Sequence, residues 1–305
     1  LKELPRRILG VVIVLVGVIA LIFIMLRIIP GDPVSVLLNE HVSQANIDRL
    51  TQNMGLDKSL PEQFLTYLLG VFRGDLGRSY TMQQPVLSLI LQAFPYTVRL
   101  TLLAIAFAWT IGIVSGVISA MYNEKFLDYL FRGTALLGIS VPVFMVALFL
   151  QYMFYFRLSL LPLVYDGSFV SLILPAIALG WNSAGSVARL TRSSLMEQLG
   201  ATYIDTARAK GLVYKKAVVF HALKNAILPV ITMMALQLAE MLSGAVITES
   251  VFSISGLGKL ALTALQTRDM PLLQGTVLFT AFLIAVGGIL ADIIGTILNP
   301  KLRLG

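Results

Sequence analysis

Six stretches of the chain run for about 20 residues with almost no charge: 8–29, 98–121, 133–156, 169–187, 226–247 and 272–298. A helix rising 1.5 Å per residue needs about 20 mostly apolar residues to cross ~30 Å of hydrocarbon. The pattern therefore predicts an all-α polytopic membrane protein with about six transmembrane helices. Residues 1–305 form one transmembrane domain, with a five-span core at 98–298. The segment 30–95, after the first span, differs in character. It mixes the turn formers Gly31-Asp32-Pro33 with amphipathic stretches at 44–54 and 60–72. In Gln63, Phe64, Tyr67, Leu68 and Val71 the apolar members recur at helical spacing, which predicts short helices capping the outer face.

Composition agrees with lipid as the main solvent. Hydrophobic residues make up 57% of the chain and charged residues 13%, about half the usual share in soluble domains. Mean hydropathy is +0.85 and the pI is near 9.7. A net charge of +7 would suggest nucleic acid in a soluble protein. Here the basic residues fall between apolar runs, at Lys2, Arg6 and Arg7, at Lys125 and Arg132, from Arg189 to Lys224, and at Lys301 and Arg303. The short loops of the opposite side hold only Arg157, Lys259 and Arg268. By the positive-inside rule both termini are expected on the cytoplasmic side. The first run is longer than a signal-peptide core and no small-residue cleavage site follows it, so it is expected to be a retained anchor. With no cysteine, disulfides and thiolate metal sites are excluded.

The longest cytoplasmic segment, 189–225, reads as two helices around a turn. Leu195, Leu199, Tyr203 and Ala207 keep one helical register, Gly211 is placed to end it, and 215–223 restarts a basic amphipathic helix. At the tip, Ala207 and Ala209 leave a thin surface for close approach. Asp205, Arg208 and Lys210 supply charged hydrogen-bonding groups beside Thr206 and Gly211. Such a tip suits a socket in a cytoplasmic partner. It equally suits a basic loop set by topology or held by anionic lipid.

The run Tyr203-Ile204-Asp205-Thr206-Ala207-Arg208-Ala209-Lys210-Gly211-Leu212 resembles the EAA loop of binding-protein-dependent ABC importers, in the version carried by peptide and nickel permeases. Asp205-Thr206-Ala207 fills the place of Glu-Ala-Ala, and Gly211 that of the family glycine. The usual Leu-Pro reads Leu223-Lys224, with a Leu-Pro later at Leu228-Pro229. Further family-like blocks are Gly55-Leu56-Asp57-Lys58, Gly74-Asp75-Leu76-Gly77, Arg189-Leu190-Thr191-Arg192-Ser193-Ser194, Arg268-Asp269-Met270-Pro271 and Asn299-Pro300. Ser255 stands where the family commonly has proline, and Met270 where it has tyrosine. The resemblance implies a type I importer permease fold in a bacterial or archaeal cytoplasmic membrane. It implies four kinds of neighbour: a homologous second permease, two ATPases that bind ATP and Mg, an external substrate-binding protein, and the bilayer. Residues 205–211 would then form the coupling helix, seated in a groove of one ATPase. Peptide cargo is the leading expectation, a nickel chelate the alternative, and an ion-gradient transporter the reading from another class.

Polar groups inside lipid usually face a bundle interior or a cavity. Gln237 and Glu240, three apart on one helix face, and Asn182 are candidates for the translocation path, with helix-to-helix hydrogen bonding as the plainer role. Arg99 and Asp292 lie near span ends, where snorkelling or pairing suffices, and Gln151 is a weaker candidate. His41 and His221, the only histidines, fall in different regions and do not make a metal site. The chain contains no Gly-x-x-x-x-Gly-Lys-Ser/Thr phosphate loop and no catalytic cluster, so no cofactor is expected in it and the energy must come from a partner.

Overall fold

The computed structural model describes residues 4–28 and 57–298. The blocks Gly31-Asp32-Pro33, Gly55-Leu56 and Asn299-Pro300, the stretch 44–54 and His41 lie outside the described residues, as do both termini. The regular elements among the described residues are all helices, with one isolated bridge between Arg78 and Pro85.

Helix α1 covers Leu4–Ile28, and α2, Leu60–Phe72, is the capping helix expected from its periodicity. Ser59 starts α2, its N–H donating to Glu62 Oε2 at 3.1 Å, so one orphan donor of the first turn is satisfied by the side chain three residues on. The apolar face of α2 rests on α1 and its surroundings, with Phe64 edge-on to Phe23 at 5.3 Å.

Helix α3, Val86–Met121, begins well before the apolar run at 98 and carries Pro95 within it. At 1.5 Å per residue it is about 54 Å long against ~30 Å of hydrocarbon, so it extends beyond the bilayer. The third apolar stretch is not one straight span. It divides into α4, Phe126–Ser140, and α5, Val143–Gln151, the latter continuing as a wide π-type turn through Arg157, and the two halves meet at 106°. Pro142 is the cause. A residue before proline is pushed out of the helical region, and Val141 is extended at φ −83, ψ 125.

Helix α6, Ile173–Leu199, is the central post, and its longest contact is with α3. The two backbones approach closely because small residues face each other. A Cβ on Gly116 would sit 2.6 Å from the Ala188 carbonyl oxygen, and one on Gly180 at 2.6 Å from that of Ala104. Lipid gives no hydrophobic drive to helix pairing, so such close packing holds spans together.

After the short α7, Thr202–Ala209, the chain enters α8, Tyr214–Leu242, which includes a π-helical turn at Val218–Ala222. The fifth span and the second helix of the loop are therefore one continuous rod. Gly244, at φ +115, turns the chain into α9, Val246–Val251, followed by α10, Leu257–Gln266, and α11, Met270–Leu298. Among the described residues four helices are long and apolar enough to cross a membrane: α3, α6 with its 3₁₀ entry, α8 and α11. The bent α4–α5 pair makes a fifth if it is one span, and α1 adds only a shorter apolar stretch at Leu9–Met25, so the described residues hold four to five spans where about six are expected. Large side chains such as Leu102, Leu148 and Ile284 stay exposed along these spans, as a lipid-facing surface requires.

Candidate functional site

One residue buries α7 into the bundle. Helix α6 ends at Leu199, and Gly200 and the extended Ala201 break the helix, so the single register expected from Leu195 to Ala207 does not continue. The break turns Ile204 inward rather than Tyr203. Ile204 is 2% exposed and packs in a cluster with Leu195, Ala120, Val218 and Ala222, from α6, α3 and α8. Every other residue from Asp205 to Gly211 is exposed except the half-buried Ala207.

The end of α7 is closed by its own backbone. Leu212 N–H donates to the Ala207 carbonyl at 3.2 Å and Gly211 N–H to that of Arg208 at 2.9 Å, with Gly211 at φ +89. This is a Schellman closure, and its left-handed residue favours glycine. The Arg208 guanidinium lies 5.8 Å from the Tyr214 ring centre, and Tyr203 Oη donates to Gln198 at 2.8 Å and accepts from Asn225 at 3.2 Å. These contacts tie α7 to both α6 and α8. The result is a rigid tip with polar, charged and small side chains facing outward.

At the same end of the bundle, the Asp128 carboxylate is fully buried beneath α6. Arg192 grips it with Nε at 2.7 Å and Nη2 at 2.9 Å, Ser119 Oγ donates at 2.6 Å, and Glu124 N–H donates at 3.0 Å. Arg192 also donates to Asn123 Oδ1 at 2.8 Å. The α3–α4 turn and α6 are thereby locked together next to α7.

Two more carboxylates are buried at the opposite end. Glu249, on α9, accepts from Thr97 Oγ1 at 2.7 Å and from Lys259 N–H at 2.9 Å, at the start of α10. Thr97 Oγ1 in turn accepts from Leu257 N–H at 2.8 Å. Burial pushes the Glu249 carboxyl above its ordinary range, against the lowering effect of these donors. A Cβ on Gly256 would overlap that carboxylate, so the contact needs glycine there. Asp269 accepts from Ser79 Oγ at 2.5 Å, Thr81 N–H at 3.0 Å and Leu272 N–H at 3.2 Å, joining the segment before α3 to the start of α11.

The three candidates for the path stand apart. Asn182 Nδ2 donates to the carbonyls of Gly138 and Ile139 at 3.4 and 3.3 Å. Those carbonyls end α4, where the break at Pro142 removes their helical donors. Gln237 is 9% exposed, with Oε1 unpartnered, whereas Glu240, on the same helix, is exposed. No hydrogen bond joins any of the three. Gln151 is buried and donates to the Leu163 carbonyl at 2.9 Å, while Arg99 lies 6.0 Å from the Tyr96 ring centre. Exposed His221 belongs to no cluster, and no group of three or more His, Cys, Asp or Glu able to hold a metal occurs among the described residues.

Sequence reading passed over Ile204, Asp128 and Glu249. Ile204 had a usable signal, as the one large aliphatic residue of a polar eight-residue helix. Asp128 and Glu249 had none, because the side chains that enclose them, Arg192 and Thr97, lie 64 and 152 positions away.

Comparison with known proteins gives the family. Residues 112–304 match the family described as the binding-protein-dependent transport system inner membrane component, and residues 1–101 match the N-terminal component of the same system. The chain is 37% identical to the dipeptide transport system permease protein of Escherichia coli K12, covering 99% of each. It is 37% identical to the di/tripeptide transport system permease protein of Pseudomonas aeruginosa, covering 94% of each. With the glutathione transport system permease protein of Pectobacterium atrosepticum it shares 35% identity over 98% of this chain and 97% of the other. Among solved structures, the inward-facing MetNI methionine ABC transporter aligns with a TM-score of 0.60 over 70% of this chain and 97% of that one. At 15% identity that likeness speaks to the fold alone. The chain belongs to the family of binding-protein-dependent transport system inner membrane components, and it is built as a permease subunit.

Proposed function

We propose that this chain forms half of the path of an ATP-driven importer for dipeptides and short oligopeptides, and that α7 is the helix through which ATPases drive it. The observation that carries the coupling role is α7 itself, anchored by Ile204 and presenting Asp205, Thr206, Arg208, Lys210 and Gly211 outward. The cargo rests on relatives named for dipeptide, di/tripeptide and glutathione transport.

In this reading a homologous second permease completes the path. Two cytoplasmic ATPases bind ATP and Mg, and an external binding protein delivers the peptide. Both termini and α7 lie on the cytoplasmic side of a bacterial or archaeal membrane. ATPase closure displaces α7. Because α8 is one rod of about 43 Å from Tyr214 to Leu242, the displacement travels along it rather than dissipating in a loop. Arg192 and Asp128 carry the same motion into α3 and α4. In this reading exposed Glu240 on α8 and exposed Asn182 on α6 meet the passing backbone amides and termini of a peptide, with buried Gln237 behind Glu240 in the wall of the path. A two-state change needs contacts that differ between the states, and the docking of α7 supplies them.

The test is uptake of labelled dipeptide into liposomes holding the chain with its second permease, ATPases and binding protein. ATP-dependent accumulation is expected. Uptake that ignores ATP and follows an ion gradient would overturn the proposal.

A further inference from the structure

The end of the bundle that carries α7 contains a second feature unrelated to docking. A cavity of about 510 Å³ opens between α3, α4 and α6, with Arg132, Arg189, Arg192, Ser119 and Ser193 at its charged mouth. Three guanidinium groups meet one carboxylate there. Arg192 is occupied by Asp128 and Asn123. Arg132 is 53% exposed, stands 3.9 Å from Asp128, and is held 5.9 Å from the Tyr129 ring centre. Arg189 is exposed, and among the described residues its side chain makes no ion pair or hydrogen bond. The mouth thus has two positive charges more than its one buried carboxylate balances.

Further up the same helices the lining changes. A narrower groove of about 100 Å³ runs between Phe107, Ile111, Thr134, Trp181 and Ala184, and it shares Ser115, Phe131, Ala135 and Ala188 with the first cavity. The distance along α6 from Trp181 to Ser193 is about 18 Å at 1.5 Å per residue. The hydrocarbon of one leaflet is about 15 Å deep, half of ~30 Å. A basic mouth at the helix ends that continues into an apolar groove one leaflet deep matches an amphiphile with an anionic head and a fatty tail. It does not match a peptide crossing the whole bilayer.

We infer that this pocket binds one anionic phospholipid of the leaflet on the α7 side, with its phosphate between Arg132 and Arg189 and an acyl chain along α4 and α6. Basic pockets between spans at the cytoplasmic side are suited to such headgroups. The bound lipid would brace α4, the first half of the bent span, against the central post, so lipid composition would bear on the mobility of that span.

The experiment uses the complex purified with its ATPases in detergent and stripped of lipid. It is titrated with phosphatidylglycerol, with phosphatidylcholine of the same chains, with short-chain dihexanoyl phosphatidylglycerol and with inorganic phosphate, and native mass spectrometry counts the molecules retained. Long-chain phosphatidylglycerol is expected to bind in preference to phosphatidylcholine. The exposed double variant Arg132→Gln/Arg189→Gln should weaken it about 25-fold, the product of two roughly fivefold surface-charge contributions. Thr134→Phe, which fills the groove from an exposed position, should weaken the long-chain lipid and leave the short-chain one unchanged. Equal retention of both headgroups, or an unchanged double variant, would overturn the inference. So would inorganic phosphate binding as tightly with the same arginine dependence, which would make this a free-anion site. Displacement of the lipid by labelled dipeptide would also overturn it and assign the pocket to the transport path.

Discussion

Arg192 on α6 holds the carboxylate of Asp128 on α4 through two parallel donors at 2.7 and 2.9 Å, and Asp128 is fully buried while Arg192 remains 22% exposed. Planar, bidentate pairing of this kind has both the strength of charge assistance and a fixed geometry. The pair sits one helix away from Ile204, so the anchoring of α7 and the locking of α6 to α3 and α4 are parts of one packed end.

Removing Asp128 strands a guanidinium under α4. Asp128→Ala is expected to cost about 3 kcal/mol, the lower end of the range for broken buried pairs because Arg192 reaches solvent. The double change Asp128→Ala/Arg192→Met should recover much of that loss. Thermal denaturation in detergent measures both. Equal stabilities for the single and double variants would contradict the pairing.

Ile204→Ala tests the anchor of α7 without touching its exposed face. Loss of a fully buried aliphatic side chain costs about 2–5 kcal/mol, here mainly to the local order of α7. Stimulation of the partner ATPases by binding protein and peptide should fall several-fold while the chain still inserts. Unchanged stimulation would mean that α7 does not need a fixed position.

Gly211→Pro and Ala207→Arg address docking directly. Proline cannot take the positive φ of Gly211 and removes the N–H that closes the helix on Arg208. Arginine at 207 adds bulk to the thin face of the tip. Both variants should abolish ATPase stimulation with membrane insertion retained, as read by stimulation assays beside membrane fractionation.

Glu249 predicts a pH dependence of stability. Its folded pKa is raised by burial above the ordinary 4.5, so the folded state holds the proton more tightly than the unfolded state does. The contribution is complete below about pH 4.5 and is lost as pH rises through the raised value. Melting temperature should therefore fall across that window in the native chain. Glu249→Gln should flatten this part of the profile, and an unaltered slope in that variant would assign the dependence to another group.

Gly116 is the packing test of the α3–α6 contact. A side chain there meets the Ala188 carbonyl oxygen and Thr191, so Gly116→Val should cost about 1–3 kcal/mol of overpacking. Gly133→Ala, with open space around it, should be tolerated. Denaturation of the two variants side by side separates close approach from helix propensity.

Much of the architecture was legible in the chain. The apolar runs located the spans, and the period of Phe64, Tyr67, Leu68 and Val71 located α2. Gly211 marked the end of α7. The break at Val141–Pro142 was written there too, since proline constrains its predecessor, but hydropathy averages over a bend and counts one apolar stretch as one span. The register through Gly200 failed for a similar reason: spacing counts apolar residues and does not see where the backbone stops being helical.

Sequence by itself determined the solvent, the number of apolar runs, the charged tip at 205–211 and, through resemblance, the family. These depend on residues close together in the chain, whose transfer energies and backbone preferences are local. Tertiary structure alone decided which residue anchors that tip, which carboxylates are buried, and that Gln237 is enclosed while Glu240 on the same helix is exposed. Those outcomes depend on helix rotation and on partners many residues away. A chain with a net charge of +7 shows how many charges it has, but only the packed bundle shows that Arg192 is matched by Asp128 while Arg189 has no ion-pair partner among the described residues.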